Sequence, residues 1–573
     1  MSGAAQGVAD PAGRVAPERP RRLALPAALR LDRFEALTLL AFTAMTFIPL
    51  IALATRPREI TWTDGGLVAD QLQYLGWIRS ASEHLVIQNV WDVGEPGTSY
   101  FLHPGFLLSG LLVKAGLEPG PAYQLLWKPV ALAFVFFGFL AYMRRMLPAG
   151  TRRHAGLVIA LFYVSPLAAI VGLANIDPNR LKGQVEFMSG EMFPGLWMWG
   201  YMMTAIAVAL VPLALLAAER ARVPARRARG RGVGWYVAWG AAATFFMSWL
   251  QPWQGVVLLM TLGGVEAWRW RREGRPSFGP LAGSLGPIAV AGVIPLAYYF
   301  WLSKVDPSWE LAGHVNSTRV GNWPWYAWAI GLLPIAIPVW WGYRTPARDW
   351  QDRAMRLLPA AMLVEYWIIY LTQAGTFPFH SVQGASIPIA ILAVQGVAAR
   401  RSSLPAWMRG RAVLWACVVL VTLPGVLNKL KIIRDEVHQG GQPFFVERGE
   451  RRALDYMERS PVRGGVMAPI YSGLLIPAYT GRHAWLGQIS WTRDYDRRVT
   501  EAYALLTGRL DRARAVALVR GARGVAFVFG DCLGNRVDLA PLLRGYLSDV
   551  RRFGCASVYQ LDRARLDRAP PAA

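Results

Sequence analysis

The chain has 573 residues, of which 54% are hydrophobic and 12% aromatic, and its 61 Lys and Arg against 37 Asp and Glu give a net charge of +24. Apolar runs recur along most of its length, and a helix of about 20 apolar residues crosses a bilayer. This pattern excludes a soluble protein. The arginines cluster in alternate loops, as in multi-pass membrane proteins, so the charge predicts topology and contact with anionic lipid, not nucleic-acid binding.

Residues 1–34 are predicted to be a disordered cytoplasmic tail, because Ala, Gly, Pro and Arg dominate the first thirty positions of the chain. The tail lacks the short apolar core and the small-residue cleavage site of a signal peptide. The first apolar stretch therefore predicts an uncleaved signal anchor.

Residues 35–427 predict a helical membrane domain with about eleven transmembrane helices. Some stretches are short for a full crossing, so neighbouring spans could merge. The predicted spans are Leu37–Thr55, Leu125–Met143, Leu157–Leu173, Phe193–Ala218, Trp235–Leu250, Trp253–Trp268, Leu281–Trp301, Trp325–Trp341, Leu357–Thr372, Ile387–Ala399 and Val413–Leu427.

The arginine-rich loops predict the orientation of the chain in the membrane. Loops such as Arg144–Arg153 and Arg344–Arg356 are basic, whereas Thr376–Ser386 and Gln251–Pro252 on the opposite side carry no Lys or Arg. By the positive-inside rule the N-terminus lies in the cytoplasm. The long first loop, residues 56–121, and the C-terminal part of the chain then lie outside a plasma or inner membrane.

The long first loop contains the first candidate for chemistry, Asp70 in the stretch Asp-Gln-Leu-Gln-Tyr, followed later by His103-Pro104. Apolar residues recur here at helical spacing, so Asp70 and Tyr74 share one face of a helix. A carboxylate held there could act as a general base toward an acceptor hydroxyl. Alternatively, Asp70 only caps the helix. The spacing alone leaves both interpretations open.

Later loops and spans offer further polar candidates. Arg180, Lys182 and Glu191 belong to the second outward loop, Asn175–Glu191, where a solvated turn is the ordinary explanation. His380 precedes a short span, and a lone histidine at an interface commonly bonds a backbone group.

Three more candidates are close to or within the apolar segments. Gln251 and Trp253 could line an outward cavity, although Trp253 fits an interfacial aromatic belt equally well. Glu365 lies inside a span, where a carboxylate is either functional or a protonated structural group.

The C-terminal part, residues 428–573, predicts an extracytoplasmic α/β domain. Strands are predicted at Gly465–Ala468, His483–Gly487, Val525–Gly530 and Ser557–Leu561, with helices at Gly473–Thr480, Asp494–Leu506, Arg512–Arg520 and Leu539–Val550. Asp494 and Asp496 spell Asp-x-Asp but stand at a predicted helix start, which they are expected to cap. The second outward loop has no Asp-x-Asp, so no cofactor is expected; a divalent metal stays open as an alternative that no motif supports.

The cysteines leave one question open. Cys417 lies within a span and is expected to be a small apolar residue. Cys532 and Cys555 could form a disulfide on an oxidising side of the membrane. However, a parallel β-α-β crossover would place them at opposite ends of the sheet, beyond the roughly 7 Å that a disulfide spans between Cα atoms.

Asp70-x-x-x-Tyr74, followed by His103-Pro104 and the apolar Gly105–Val113, resembles the first outward loop of the GT-C glycosyltransferases. The nearest patterns are those of the protein O-mannosyltransferases and lipid A aminoarabinose transferases. This chain departs from them at Gln71, where the family has Glu, and at Gly105, where it has a second Pro. The resemblance implies an α-helical GT-C-like membrane fold and sugar transfer from a polyprenyl-phosphate donor to a glycan, lipid or protein acceptor.

The resemblance also implies roles for the candidate residues in an inverting, metal-free hexosyl or pentosyl transfer. Asp70 would be the general base and Glu191 a second carboxylate. Substrate contacts would come from Tyr74, His103, Arg180, Lys182, Gln251 and His380, of which Arg180, Lys182 and His380 would surround the lipid phosphate. Two other functions remain open. The first is a transporter or flippase for a lipid-linked glycan, which would usually show repeated halves. The second is an inactive scaffold with the same fold, in which Gln71 can replace the Glu of the family because no catalysis is needed.

Overall fold

The computed structural model describes residues 30–65, 68–93, 100–176, 183–222, 232–274, 278–319, 323–372, 377–533 and 537–568. Most of the predicted N-terminal tail, and both Arg180 and Lys182, lie outside these described residues. The fold is a large helical bundle followed by a small domain with a β-sheet, as the sequence predicts.

The helices of the bundle are connected mainly by short turns. Their bounds are α1 (Arg33–Ala54), α2 (Val68–Glu83), α3 (Pro104–Lys114), α4 (Pro119–Met146), α5 (Thr151–Phe162), α6 (Pro166–Leu173), α7 (Gly183–Met192), α8 (Pro194–Met198), α9 (Met202–Ala221), α10 (Val233–Leu250), α11 (Pro252–Glu273), α12 (Phe278–Val305), α13 (Pro307–Arg319), α14 (Trp325–Arg344), α15 (Trp350–Thr372), α16 (Ser386–Arg400) and α17 (Arg411–Gln439). Short 3-10 turns cover Pro378–Val382, Arg401–Ser403 and Ala406–Arg409.

The C-terminal domain and the loop that it contacts contribute the remaining elements. The helices are α18 (Arg448–Arg459), α19 (Ile470–Thr480), α20 (Tyr495–Leu506), α21 (Arg512–Gly521) and α22 (Arg563–Arg568). The strands are β1 (Glu59–Ile60), β2 (Phe445–Val446), β3 (Gly465–Met467), β4 (Val525–Gly530), β5 (Leu547–Phe553) and β6 (Ala556–Leu561).

Every predicted span is largely helical in the structure, but Leu157–Leu173 is interrupted between α5 and α6 and Phe193–Ala218 is interrupted between α8 and α9. Within the described residues, nine helical segments are long and apolar enough to cross a membrane, and the chain is therefore a multi-pass membrane protein. The other two predicted spans are α10 and α11, which are rich in Trp and, at the end of α11, Arg. Helix α9 is apolar all round and buried on nearly every side, as expected for a helix at the centre of a bundle.

The prediction of one continuous helix over Phe193–Ala218 is wrong at its start, because the helix is interrupted between α8 and α9. Gly200 has φ +123° there, and a Cβ on it would overlap the side chain of Gln71. As a result, Tyr201 lies before the first turn of α9 with a non-helical backbone conformation. This short segment at the interruption, residues 198–201, brings Tyr201 to one wall of the cavity described below.

The long loop after α1 packs against the C-terminal domain. β1 pairs antiparallel with β2, and α2 packs against α3, α4 and α19. Arg451 of α18 forms ion pairs with Glu59 at 2.7 Å and Glu118 at 3.0 Å. The loop and the domain therefore form a common layer over one end of the helical bundle.

The four-stranded sheet has the order β3-β4-β6-β5, with β3 parallel to β4 and the other pairs antiparallel. The predicted helix Leu539–Val550 and its parallel crossover are wrong. β5 instead turns back into β6 through Gly554, whose φ of +69° suits a tight turn. This hairpin brings Cys555 to Cys532, and the two form a disulfide with a Cα–Cα distance of 4.8 Å.

Two smaller predictions have mixed outcomes. Asp494 stands at the N-cap of α20 but makes no capping hydrogen bond; its carboxylate accepts from Arg497 at 2.9 Å instead. Cys417 lies in α17, as predicted for a residue inside a span, and its side chain is exposed on the helix surface.

Candidate active site

A cavity of about 830 Å³ lies between the helical bundle and the loop layer. Its wall comes from α2, the start of α3, the α10–α11 junction, the end of α12, α13, the end of α15, the 3-10 turn before α16, and a segment of the C-terminal domain. It brings together five of the predicted residues, which are far apart in sequence: Asp70, Tyr74, His103, Gln251 and His380.

Asp70 is the third residue of α2 and is partly exposed to the cavity. Its carboxylate accepts hydrogen bonds from the Tyr201 hydroxyl on one oxygen and from Gln488 Nε2, at 3.4 Å, on the other. Burial raises the pKa of Asp70 above its usual range, and the bonds from Tyr201 and Gln488 partly offset this rise. A raised pKa makes the ionised carboxylate a better proton acceptor.

Tyr74 lies one helical turn after Asp70 and on the same wall of the cavity, as the spacing predicts. Its ring packs against Phe106 at 5.1 Å and edge-on against Tyr201 at 5.9 Å between centroids. Burial raises the pKa of Tyr74 well above its usual value, and the neighbouring Asp70 adds to the rise. Tyr74 is therefore a neutral aromatic surface beside the carboxylate.

Glu191 and His380 are joined by a buried hydrogen-bond network. Gln383 Nε2 donates to Glu191 Oε2 at 2.6 Å and lies 2.9 Å from His380 Nδ1. Gln251 donates to Gln383 Oε1 at 2.9 Å, and Gln254 donates to the backbone carbonyl of His380 at 3.0 Å. Glu191 is only 2% exposed and lies behind the cavity wall, so it faces His380 and Gln383 and not the cavity space.

His103 caps α3 instead of facing solvent. Its Nδ1 accepts from the Phe106 backbone N–H at 3.4 Å, and its ring stacks on that of Phe106 at 4.2 Å. The side chain is 4% exposed, and burial lowers the pKa of His103 to about 3. The imidazole is therefore neutral at ordinary pH, which suits a structural cap or a hydrogen-bonding surface.

The structure explains both departures from the GT-C loop pattern. The Gln71 side chain points away from the cavity, where Oε1 accepts from the Asp64 N–H at 2.8 Å and Nε2 donates to the carbonyls of Asp64 and Trp199 at 2.5 and 3.0 Å. Gly105 lies so close to Met203 that an added Cβ would overlap its sulfur. A second Pro there would require the Met203 side chain to move. Gln71 is a structural residue.

Segment 198–201 is fixed by three side-chain donors. Lys128 Nζ donates to the Met198 carbonyl at 2.6 Å, and Tyr123 donates to the Gly200 carbonyl at 2.8 Å; Gln71 bonds the carbonyl between them. Lys128 is fully buried and pairs with the equally buried Asp64 at 2.7 Å. This network holds Tyr201 in position to donate to Asp70.

Sequence reasoning missed several residues of the cavity wall. Tyr201 and Gln488 are 131 and 418 positions from Asp70, and nothing in the sequence signals their contact. Lys304, in the last turn of α12, could have been noticed as a charge at the end of an apolar span. Among the described residues that line the cavity, it is the one Lys or Arg. Trp253 and Glu365, which the sequence already offered as candidates, also line the cavity.

Two remaining predictions concern metal and phosphate. Within the described parts of the chain, no group of three or more His, Cys, Asp and Glu side chains is arranged to hold a metal ion. Arg180 and Lys182 lie outside the described residues, so their predicted contact with a phosphate stays a prediction.

No family model matches the chain, and no curated protein matches its sequence. Solved structures do match. The apo oligosaccharyltransferase of Archaeoglobus fulgidus matches with a TM-score of 0.50 at 11% identity, over 90% of this chain and 73% of that one. The oligosaccharyltransferase AglB from the same organism, in complex with an inhibitory peptide and a dolichol-phosphate, gives a TM-score of 0.48 at 12% identity, over 91% and 73%. At 11% identity the likeness to the apo structure shows the fold alone, which is GT-C-like.

Proposed function

We propose that this chain is a membrane glycosyltransferase that moves a sugar from a polyprenyl-phosphate donor to a glycan, lipid or protein acceptor on the outer face of the membrane. The proposal depends on one observation above all. A partly exposed carboxylate, Asp70, stands on the wall of a cavity that also opens sideways toward the bilayer.

The sideways opening follows from cavity residues that are also exposed on the outside of spanning helices. Phe300 of α12 and Ile368 of α15 both line the cavity, and they are 68% and 48% exposed. Exposed apolar side chains on spanning helices face lipid. A substrate with a long prenyl chain can therefore keep the chain in the bilayer while its sugar enters the cavity between α12 and α15.

Asp70 would act as the general base in an inverting displacement. The acceptor hydroxyl gives its proton to the Asp70 carboxylate as its oxygen forms a bond to the anomeric carbon of the sugar. The bond between that carbon and the phosphate oxygen breaks, and the polyprenyl phosphate leaves with the electron pair. Positioned general bases typically contribute about 10²–10⁴-fold to the rate.

Among the residues that the structure describes, Lys304 is the best candidate for neutralising the phosphate. It stands at the end of α12 beside the largely exposed Phe300 and Trp301, a position typical of a membrane interface. His380 would donate a second hydrogen bond to the phosphate, oriented by Gln383 and Glu191. Glu191 is thus a positioning residue in this proposal, and the predicted Arg180 and Lys182 would add to the same charge.

The test compares polar and lipid-linked glycans in membranes of cells that carry wild-type protein, Asp70→Asn, or no protein. Asp435→Asn, at an exposed carboxylate of α17, controls for substitution itself. The proposal expects Asp70→Asn to accumulate normally, lose one glycan and build up its lipid-linked donor, as the deletion does. Wild-type behaviour of Asp70→Asn would refute the proposal and favour a flippase or a scaffold.

A further inference from the structure

Glu365 is a buried carboxyl group on the wall of the cavity, and the proposed chemistry does not use it. It belongs to α15, one of the helices that are long and apolar enough to cross a membrane. Thr372 ends that helix seven residues later, which is about 10 Å along its axis. The Glu365 side chain is 3% exposed and lines the cavity. An ionisable side chain within a spanning helix is a candidate for function.

The carboxyl group of Glu365 is not satisfied by its surroundings. Its Oε2 is buried and has no hydrogen-bond partner in the described part of the chain, and no ion pair there includes Glu365. The Ser381 hydroxyl lies near enough to act on the carboxyl group, but Ser381 Oγ also lacks a partner at regular hydrogen-bond geometry among the described residues. Because most buried polar groups in proteins are hydrogen-bonded, Glu365 has bonding capacity that the fold does not use.

Another buried polar side chain of the same helix shows the contrast. Gln351 accepts from the Tyr142 hydroxyl at 2.8 Å and donates to the Leu215 carbonyl at 2.8 Å. Both ends of its amide are therefore bonded within the fold, as expected for a structural polar group. Glu365 lacks such bonds, which argues against the purely structural role that the sequence left open.

The surroundings of Glu365 favour its neutral acid form. Ile368 and Ile369, three and four residues later on the same helix face, also line the cavity. Burying an unpaired carboxylate costs far more than burying a neutral carboxyl group, so a carboxyl group without a cationic partner keeps its proton. A protonated carboxyl group has one O–H donor. Glu365 therefore presents a neutral hydrogen-bond donor to the cavity.

The position of Glu365 suits contact with the phosphate of the proposed donor. Ile368, one helical turn from Glu365, is both exposed and part of the cavity wall, where the prenyl chain would enter. Ser381, which acts on Glu365, directly follows His380 in the chain, and His380 is the proposed second donor to the phosphate. In a polyprenyl-phosphate sugar, the phosphate is the group that joins the prenyl chain to the sugar.

We propose that Glu365, as a neutral carboxylic acid, donates a hydrogen bond to the phosphate of a polyprenyl phosphate bound in the cavity. Anionic phosphate oxygens accept hydrogen bonds strongly, whereas a prenyl chain offers no acceptor. The use of this contact in sugar transfer rests on the proposed function. The binding of polyprenyl phosphate itself does not.

The test measures binding of two lipids to the full-length protein in nanodiscs. The probes are undecaprenyl phosphate and undecaprenol, which lacks the phosphate. Glu365→Met has a side chain of similar length without a polar hydrogen, so it should weaken binding of undecaprenyl phosphate by about tenfold or more and leave binding of undecaprenol unchanged. Glu365→Gln keeps a neutral N–H donor and should retain most of the affinity.

Thermal unfolding of the ligand-free variants separates this role from a structural one. Glu365→Met should unfold at the wild-type temperature or above, because it removes a buried polar group that the fold leaves unbonded. Gln351→Met is the matched control on the same helix. It should unfold at a lower temperature, because Tyr142 and the Leu215 carbonyl lose their partner, and it should bind undecaprenyl phosphate as the wild type does.

Unchanged or tighter binding of undecaprenyl phosphate by Glu365→Met would overturn the proposal. The same holds for an equal loss in Glu365→Gln, an equal loss of undecaprenol binding, or destabilisation of Glu365→Met to the level of Gln351→Met. Asp70→Asn should bind undecaprenyl phosphate as the wild type does. A failure of sugar transfer is thereby distinguished from a failure of the phosphate contact.

Discussion

Replacing Tyr201 by Phe should shift the pH dependence of transfer through the pKa of Asp70. The Tyr201 hydroxyl donates to Asp70, and this bond favours the ionised carboxylate. A hydrogen bond to a charged group is worth about 1.5–3 kcal/mol. Since 1.36 kcal/mol corresponds to one pKa unit, its loss should raise the pKa of Asp70 by about 1–2 units.

The sign of the effect follows from the role of the base. Asp70 accepts a proton only when it is ionised, so the rate falls as the pH falls through its pKa. In Tyr201→Phe this acid limb of kcat/KM should move to higher pH by about 1–2 units, while the rate at high pH is retained. The assay is sugar transfer by purified protein at a series of pH values with fixed ionic strength.

Tyr299→Phe is the matched control for Tyr201→Phe. Tyr299 also lines the cavity, but its hydroxyl donates to the backbone carbonyl of Trp249 at 2.6 Å and not to Asp70. The control should leave the acid limb unmoved. An unmoved limb in Tyr201→Phe, or an equal shift in Tyr299→Phe, would refute the link between Tyr201 and the base.

Three further predictions concern other contacts. Lys304→Gln should raise KM for the donor by about 10–100-fold, as expected for the loss of a charge-assisted bond, while Lys304→Arg retains most of the affinity; donor titration checks both. Lys128→Met leaves Asp64 as a buried unpaired charge and should cost about 3–5 kcal/mol of stability, whereas Lys128→Met/Asp64→Leu should recover most of it in thermal unfolding. Removing the disulfide by Cys532→Ser/Cys555→Ser should destabilise the sheet by roughly 3 kcal/mol, measured by hydrogen exchange, without changing transfer activity.

The helical bundle could be predicted because its signal is local. Each apolar stretch of about 20 residues predicts a transmembrane helix, whatever the sequence of the rest of the chain. The face shared by Asp70 and Tyr74 was predictable for the same reason, since it depends only on the four-residue spacing. The interruption between α8 and α9 was missed because it depends on Gly200 and on the Gln71 side chain packed against it.

The C-terminal sheet shows where local patterns fail. Leu539–Val550 has apolar residues at helical spacing, but its last four residues begin the edge strand β5. The turn at Gly554 and pairing with β6 decide the outcome, and tertiary pairing commonly overrides weak propensity. The partners of Asp70 were unpredictable for a related reason, because Tyr201 and Gln488 reach it only through the fold.

The most direct test of the central claim is transfer by purified protein in lipid nanodiscs. Labelled lipid-linked donor is extracted from cells that lack the protein, and the label released to an acceptor is measured for wild type, Asp70→Asn and the Asp435→Asn control. The account predicts that Asp70→Asn binds the donor as the wild type does but transfers the label about 10²–10⁴-fold more slowly. Transfer by Asp70→Asn at the wild-type rate would contradict it.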